Sequence, residues 1–338
     1  MPDHILRIPL SDRAEVLQSI APRAGLPPYV LEKDIWVCWA LAAVFEMPDQ
    51  LPLAFKGGTA LSKVYQAIGR FSEDIDLTID YTALSGADPL TQDMSGNAIK
   101  KLSEQLRAAV DAHTREVITP YLTRLGQERL GTSLAIEVSE DGEGVRIRYP
   151  SAFGGDPSYL RDQDSVLLEF GGRNTTLPNE RHRVVSYAAA HTEKLEFPVA
   201  EVIVLSPHRS FWEKATLIHA ECHRPERPSG AFGAERLSRH WYDLARLARQ
   251  EIGLAALRDR ELLMHVVRLK GIFYRSGFAN YPACLEGKFC LVPDEPLRAA
   301  LERDFSAMVS EGMFFEPPSS FATILEELRA LETTLNRA

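Results

Sequence analysis

The chain has 338 residues and a mass of 37.8 kDa, with 45% hydrophobic and 25% charged residues. That composition excludes a disordered chain, a collagen-like repeat and a disulfide-held mini-protein, and the length allows one large domain or two medium ones. Lys+Arg number 38 against 47 Asp+Glu, a net charge of −9, so a nucleic-acid partner would need a local basic patch to meet its phosphates. From His208 to Arg249 eight Lys/Arg stand against five Asp/Glu, which is either such a patch or a solvated helix face. No apolar run approaches the ~18 residues of a membrane span. The N-terminus, MPDHILRIPLSDRAE, has charges where a signal peptide would be apolar. A cytoplasmic protein with no membrane partner is expected.

From Asp12 to about Phe45 the apolar spacing is helical, and LEKDIWVCWALAAVF reads as one amphipathic helix ended by Pro48 and Pro52. A short apolar run, Leu51 to Phe55, leads to Lys56-Gly57-Gly58-Thr59. A helical stretch follows, ALSKVYQAI, closed by Gly69; then FSEDIDLTI alternates with strand period. Residues 98–130 read as a long helix. SLAIEVSE, GVRIRYPSAF and SVLLEFGGR, separated by Asp-Gly, Gly-Gly and Pro signals, read as antiparallel strands, and AEVIVLS as another. A helix from about His208 to Cys222, the loop HRPERPSGAFG and a mostly helical remainder, interrupted around Asn280–Pro296, complete the chain. There are no internal repeats.

Cys38, Cys222, Cys284 and Cys290 include no C-x-x-C pair. Cys222 lies between His219 and His223, but no second Cys/His pair follows at zinc-finger spacing, so buried thiols and surface histidines on a helix are expected.

The chemistry concentrates between Phe55 and Asp80. Adjacent glycines admit a phosphate or another backbone at close range, and a helix starting there turns its unsatisfied N–H groups on it. Gly57, Gly58 and Thr59 are thus a candidate anion cradle. Asp74 and Asp76, two apart on an expected strand, project to one side while Ile75, Leu77 and Ile79 enter a core. Paired carboxylates repel unless a cation sits between them, and Mg²⁺ takes one or two carboxylates plus substrate phosphates. A nucleoside triphosphate needs both features. Glu169 in SVLLEFGG is the candidate third acid, placed where an unpaired charge on an apolar strand would be costly. Asp162-Gln163-Asp164, with no glycine cradle upstream, reads as solvated loop.

The run FKGGTALSKVYQAIGRFSEDIDL resembles the active-site signature of the DNA polymerase β-type nucleotidyltransferase superfamily. More narrowly it is similar to the AbiEii/AbiGii-type toxins of type IV toxin–antitoxin systems, which include the MenT toxins. LEKDIW, FWEKATLIH, SRHWYDLARL and EPPSSFATILEELRALETTLN extend the likeness in scattered blocks. The resemblance implies an α+β fold: a polymerase β-like core with a mixed, mainly antiparallel sheet flanked by helices, and a helical C-terminal lobe. Its expected boundaries are a helical segment over 1–50, the nucleotidyltransferase core over 51–206 and the helical lobe over 207–338.

The resemblance further implies a metal-dependent transfer from an NTP with Mg²⁺ or Mn²⁺. Asp74 and Asp76 would hold the metal, with Glu169 as a second-metal ligand or base. Gly57, Gly58, Thr59, Lys63 and Ser72 would line the triphosphate, Ser72 being alternatively a site of self-modification. Arg70 would orient an acid or bind phosphate. Lys214 would meet phosphate and Asp243 would be a later functional acid, though without the resemblance Lys214 reads as a snorkelling surface lysine and Asp243 as an i,i+4 partner of Arg239. Arg224, Arg227, Arg236 and Arg239 form an acceptor element or a variable insertion. The implied acceptor is the 3′ end of a tRNA, with transfer to a protein side chain or a non-catalytic nucleotide binder as the rivals. A cognate antitoxin is the implied partner.

Overall fold

Gly25 and Pro27 divide the first helical stretch in two. The computed structural model describes residues 3–92, 94–131, 134–154, 164–225 and 235–337, so Asp162, Gln163 and Arg227 lie outside the described residues. A two-residue strand, β1 (Asp3–His4), leads into α1 (Leu10–Ala24) and α2 (Pro28–Phe45). Gly25 has a left-handed φ of 66°, and its N–H closes the last turn of α1 on the Ala21 carbonyl, a C-cap that glycine adopts without strain. The amphipathic reading of α2 is corrected: every residue from Val30 to Val44 is buried, including Glu32, Lys33 and Asp34. A helix covered all round is a core element rather than a surface one. Trp36 stacks on Tyr149 with ring centroids 4.8 Å apart.

Next come β2 (Leu53–Lys56), α3 (Gly57–Lys63), β3 (Ile75–Asp80) and α4 (Tyr81–Ser85). The helix expected as far as residue 68 thus stops at Lys63. The long helix expected over 98–130 is α5 (Gly96–His113), a π-helical turn (Thr114–Ile118) and α6 (Thr119–Leu130). Pro120 removes a donor from the helical ladder. The Thr114 hydroxyl also bonds the Asp111 carbonyl at 2.9 Å, a contact that bends helices.

The remaining strands are β4 (Ala135–Val138), β5 (Gly144–Arg148), β6 (Ser165–Asn174), β7 (Asn179–Val185), β8 (Leu195–Glu196) and β9 (Val199–Leu205). Of the nine strands among the described residues, seven form one sheet in the order β4-β5-β6-β3-β2-β9-β7, while β1 and β8 pair separately. Within the large sheet β3–β6 and β2–β9 are parallel and the other junctions antiparallel. The mixed, mainly antiparallel α+β architecture is therefore as expected. The sequence reading missed β7, an edge strand of which only Val184 is buried, so it lacks the alternation that marks a half-buried strand.

The chain divides into two units, Met1–Val64 with Ser72–Ala87 and Lys100–Leu205, and Tyr65–Phe71 with Asp88–Ile99 and Ser206–Ala338. In the first, α2 packs against β9, β6 and β7, and α1 packs on α2. The second is helical: α7 (Pro207–Cys222), α8 (Ser238–Ala248), α9 (Glu251–Arg258), α10 (Arg260–Phe273), α11 (Glu295–Ser310) and α12 (Phe321–Arg337). Its core holds Phe211, Trp212, Trp241 and Leu244, all fully buried. Ser206, Asp259 and Asp294 cap α7, α10 and α11 by accepting N–H groups of their first turns. No helix among the described residues is long and apolar enough to cross a membrane.

Cys38 and Cys284 are buried as expected, and Cys222 and Cys290 partly so. His219 is not a surface histidine: it is fully buried. Its Nε2 lies 3.1 Å from the Asn280 carbonyl and its Nδ1 accepts the Cys290 N–H at 3.0 Å. That arrangement requires neutral imidazole, with the proton on Nε2. Burial lowers its pKa from 6.5 to about 4. The unfolded chain therefore binds a proton in this window that the folded chain does not, so the stabilisation is complete above pH 6.5 and is lost as pH falls through 4. His219→Gln is expected to flatten the dependence of Tm on pH across that interval, read by thermal denaturation at stepped pH.

Candidate active site

Where β2 passes into α3, Gly57 adopts a φ of +77°. A Cβ built on Gly57 would coincide with the Asp76 carboxylate. The glycine is therefore required twice, by its backbone angle and by the acid lying against it. Register brings the acid there: Lys56 pairs with Asp76 and Phe55 with Leu77 between β2 and β3. Gly57 and Gly58 are partly exposed, as an anion cradle requires. Thr59 is not part of such a surface. It is 0% exposed, and its hydroxyl donates to the Asp74 carbonyl at 2.5 Å. Its place is behind the cradle, tying the entry of β3 to α3.

That same bond corrects the strand assignment. Asp76 lies in β3, but the strand begins at Ile75, so Asp74 stands one residue before it. The Asp74 carbonyl bonds Thr59 instead of continuing the ladder. Asp74 is buried and Asp76 half-buried. Ser72 is buried, at 8% exposure.

Glu169 departs from expectation in one respect and meets it in another. It is exposed, so no cost of burial marks it out. Register nevertheless sets it beside Asp76 across the parallel β3–β6 pair. Among the described residues no group of three His, Cys, Asp or Glu side chains is arranged to hold a metal ion. Glu169 stands beside Asp76 by register, and Asp74 and Asp76 remain the two acids expected to hold the metal. Two carboxylates are the complement Mg²⁺ ordinarily takes from protein when substrate phosphates and water supply the rest. Gly57, Gly58 and Asp76 are all partly exposed, so the residue types present fit such an ion.

Three successive charges of α2, Glu32, Lys33 and Asp34, are buried and paired, the last two with residues of this junction. Arg13 Nη1 meets Glu32 Oε1 at 3.3 Å, and Lys33 Nζ lies 2.6 Å from Glu73 Oε2. Lys63 Nζ pairs with Asp34 and stands 3.9 Å from the centre of the Tyr187 ring. The other Asp34 oxygen accepts the Tyr187 N–H at 2.7 Å. All six ion-pair side chains are 3% exposed or less. Lys63, expected to line the triphosphate, is instead committed to Asp34. Burial alone would lower its pKa, but the Asp34 charge outweighs that and raises it. The signal was present in LEKDIW: a run of charges inside an otherwise apolar helix demands buried partners.

In the second unit Arg70, Lys214 and Asp243 form one buried cluster. Arg70 Nε and Nη2 each donate to an Asp243 oxygen at 2.8 Å, and Lys214 Nζ meets Asp243 Oδ2 at 2.9 Å. The alternatives left open for these residues close accordingly. Arg70 orients an acid, Lys214 is no snorkelling surface residue at 8% exposure, and both Asp243 oxygens serve Arg70 and Lys214. Burial would raise the Asp243 pKa, but Arg70 and Lys214 hold it below the usual carboxylate range. For Lys214, burial lowers the pKa more than Asp243 raises it. Arg70 and Lys214 thus share the Asp243 carboxylate. Elsewhere in the basic stretch Arg209 pairs with Glu213, Arg224 with Glu221 and Arg249 with Glu327. Glu213 and Glu221 belong to the stretch itself, so only Glu327, from outside it, offsets one of its three excess charges.

Gly57→Ala tests the junction. Gly25 shares the positive φ but a Cβ there meets nothing within 4 Å. Gly25→Ala is expected to cost about 1 kcal/mol, the ordinary strain of that backbone region. Gly57→Ala is expected to cost more than that, read by denaturant titration, and to abolish activity because Asp76 must move.

Comparisons with known proteins bear on the family and the fold. The family model described as "Nucleotidyl transferase AbiEii toxin, Type IV TA system" matches residues 39–327. No curated protein matches. Among solved structures the chain is similar to MenT4, a nucleotidyltransferase toxin from Mycobacterium tuberculosis H37Rv, with a TM-score of 0.50 and 18% identity. That match covers 95% of this chain and 89% of the other, a likeness of fold. On the extent of the family match, the chain belongs to the AbiEii nucleotidyltransferase toxins of type IV toxin–antitoxin systems.

Proposed function

We propose that this nucleotidyltransferase moves a nucleotide from an NTP to the 3′ end of a tRNA, with Mg²⁺, and so inhibits translation. The observation that supports it best is the Asp76 carboxylate set against Gly57 at the β2–α3 junction. Gly57, Gly58 and Ser72 form the side toward the triphosphate. Asp74 and Asp76 hold the divalent ion, which when bound would neutralise charge on the phosphates and acidify the attacking hydroxyl. The acceptor hydroxyl oxygen bonds the α-phosphorus, the α–β phosphoanhydride bond breaks, and pyrophosphate and the hydroxyl proton depart. Lys214 supplies a buried cation for a phosphate, and Arg70 fixes the Asp243 carboxylate that steadies it. A cognate antitoxin, encoded by an adjacent gene, restrains the enzyme.

Transfer to the chain's own Ser72 is the rival reading. Total tRNA incubated with each NTP, labelled in turn at the α- and γ-phosphate, separates the two. Label in RNA from the α-position is expected; label in protein from the γ-position contradicts it. Asp76→Ala is expected to lower transfer by about a hundredfold or more, the scale of losing a main electrostatic group, and to relieve growth inhibition on expression. Toxicity that survives this change rules out the catalytic role of Asp76.

A further inference from the structure

The charges of LEKDIW do more than fill space in α2. We propose that Lys33 and Asp34 are positioning residues: through Glu73 and Lys63 they hold the two arms of the β2–α3–β3 hairpin in the alignment that lets Asp74 and Asp76 bind a divalent cation. This rests on the metal-binding reading of those two aspartates.

Consecutive residues on a helix point about 100° apart, so Lys33 and Asp34 reach different segments from one turn. Lys33 meets Glu73, the residue directly before Asp74. Asp34 meets Lys63, the last residue of the helix that begins at Gly57. The Thr59 hydroxyl joins the same two arms by its bond to the Asp74 carbonyl at 2.5 Å. Both ends of the cradle are thereby referred to α2, which is itself buried all round and packed on β9, β6 and β7. Stability alone does not call for these charges, since a buried ion pair contributes little more than a well-packed apolar pair. An apolar pair, however, tolerates sliding. A charge confined among apolar groups has one acceptable partner position, so the pair selects one alignment.

The full-length chain is titrated with Mn²⁺ alone, followed by loss of the free-ion EPR signal, beside thermal denaturation of each variant. Lys33→Met/Glu73→Met is expected to melt within a few degrees of the unsubstituted chain yet to bind Mn²⁺ about tenfold more weakly. Lys33→Arg keeps the charge but displaces Glu73, because a planar fork replaces a point charge. It is expected to stay folded and to weaken Mn²⁺ about threefold, which keeps the test intact if the apolar pair does not fold. A folded variant of either kind with unaltered Mn²⁺ affinity overturns the proposal. Asp76→Ala distinguishes the two levels of the argument. If it binds Mn²⁺ as tightly as the unsubstituted chain, the metal reading itself fails. If it loses Mn²⁺ while the Lys33 variants retain it, only the positioning role fails.

Discussion

A carboxylate lies where residue 57 would carry its first side-chain atom. That contact constrains everything around it. It demands glycine at the β2–α3 junction, a positive φ there, and a register between β2 and β3 that sets Lys56 opposite Asp76. On its other side β3 pairs with β6, which sets Glu169 beside Asp76. Such a close approach of acid and backbone is of little use to a packed core. It is of use where a cation and a phosphate must meet the same few atoms.

The surroundings are built to resist displacement. Three successive charges on α2 are each withdrawn from water and paired. Leaving any one unpaired would cost about 3–5 kcal/mol, a large fraction of a typical domain's stability. Glu32 anchors outward, accepting the Ser151 hydroxyl at 2.7 Å and the Ala152 N–H at 3.0 Å, while Lys33 and Asp34 turn to the hairpin. The second unit repeats the theme with a different balance. Arg70 and Lys214 both meet the one Asp243 carboxylate in a buried place.

Much of this was legible in the residues. Gly57-Gly58, the helix after them and Asp76 were placed by local rules, because turn chemistry and strand period act over a few residues. The sheet was legible as alternation, save β7, whose exposed edge position erases that signal. What escaped was pairing over long separations. Lys63 read as a phosphate ligand because its partner Asp34 is 29 residues away. Asp243 suggested Arg239, four residues back, when Arg70 at a separation of 173 residues holds it. Glu169 was chosen for a burial it does not have, although the strand that carries it does neighbour β3. The amphipathic reading of α2 failed because charges in a helix signal a wet face only when no buried partner awaits them.

The account stands on the two aspartates before and within β3 holding a divalent ion against the glycine cradle. Crystals grown with Mn²⁺ and an NTP analogue that resists α–β cleavage test this directly, through anomalous diffraction at a wavelength where manganese scatters. The account predicts a peak ligated by oxygens of both Asp74 and Asp76, with analogue phosphates reaching it from the Gly57–Gly58 side. A peak elsewhere, with neither carboxylate among its ligands while the analogue is bound, would contradict it.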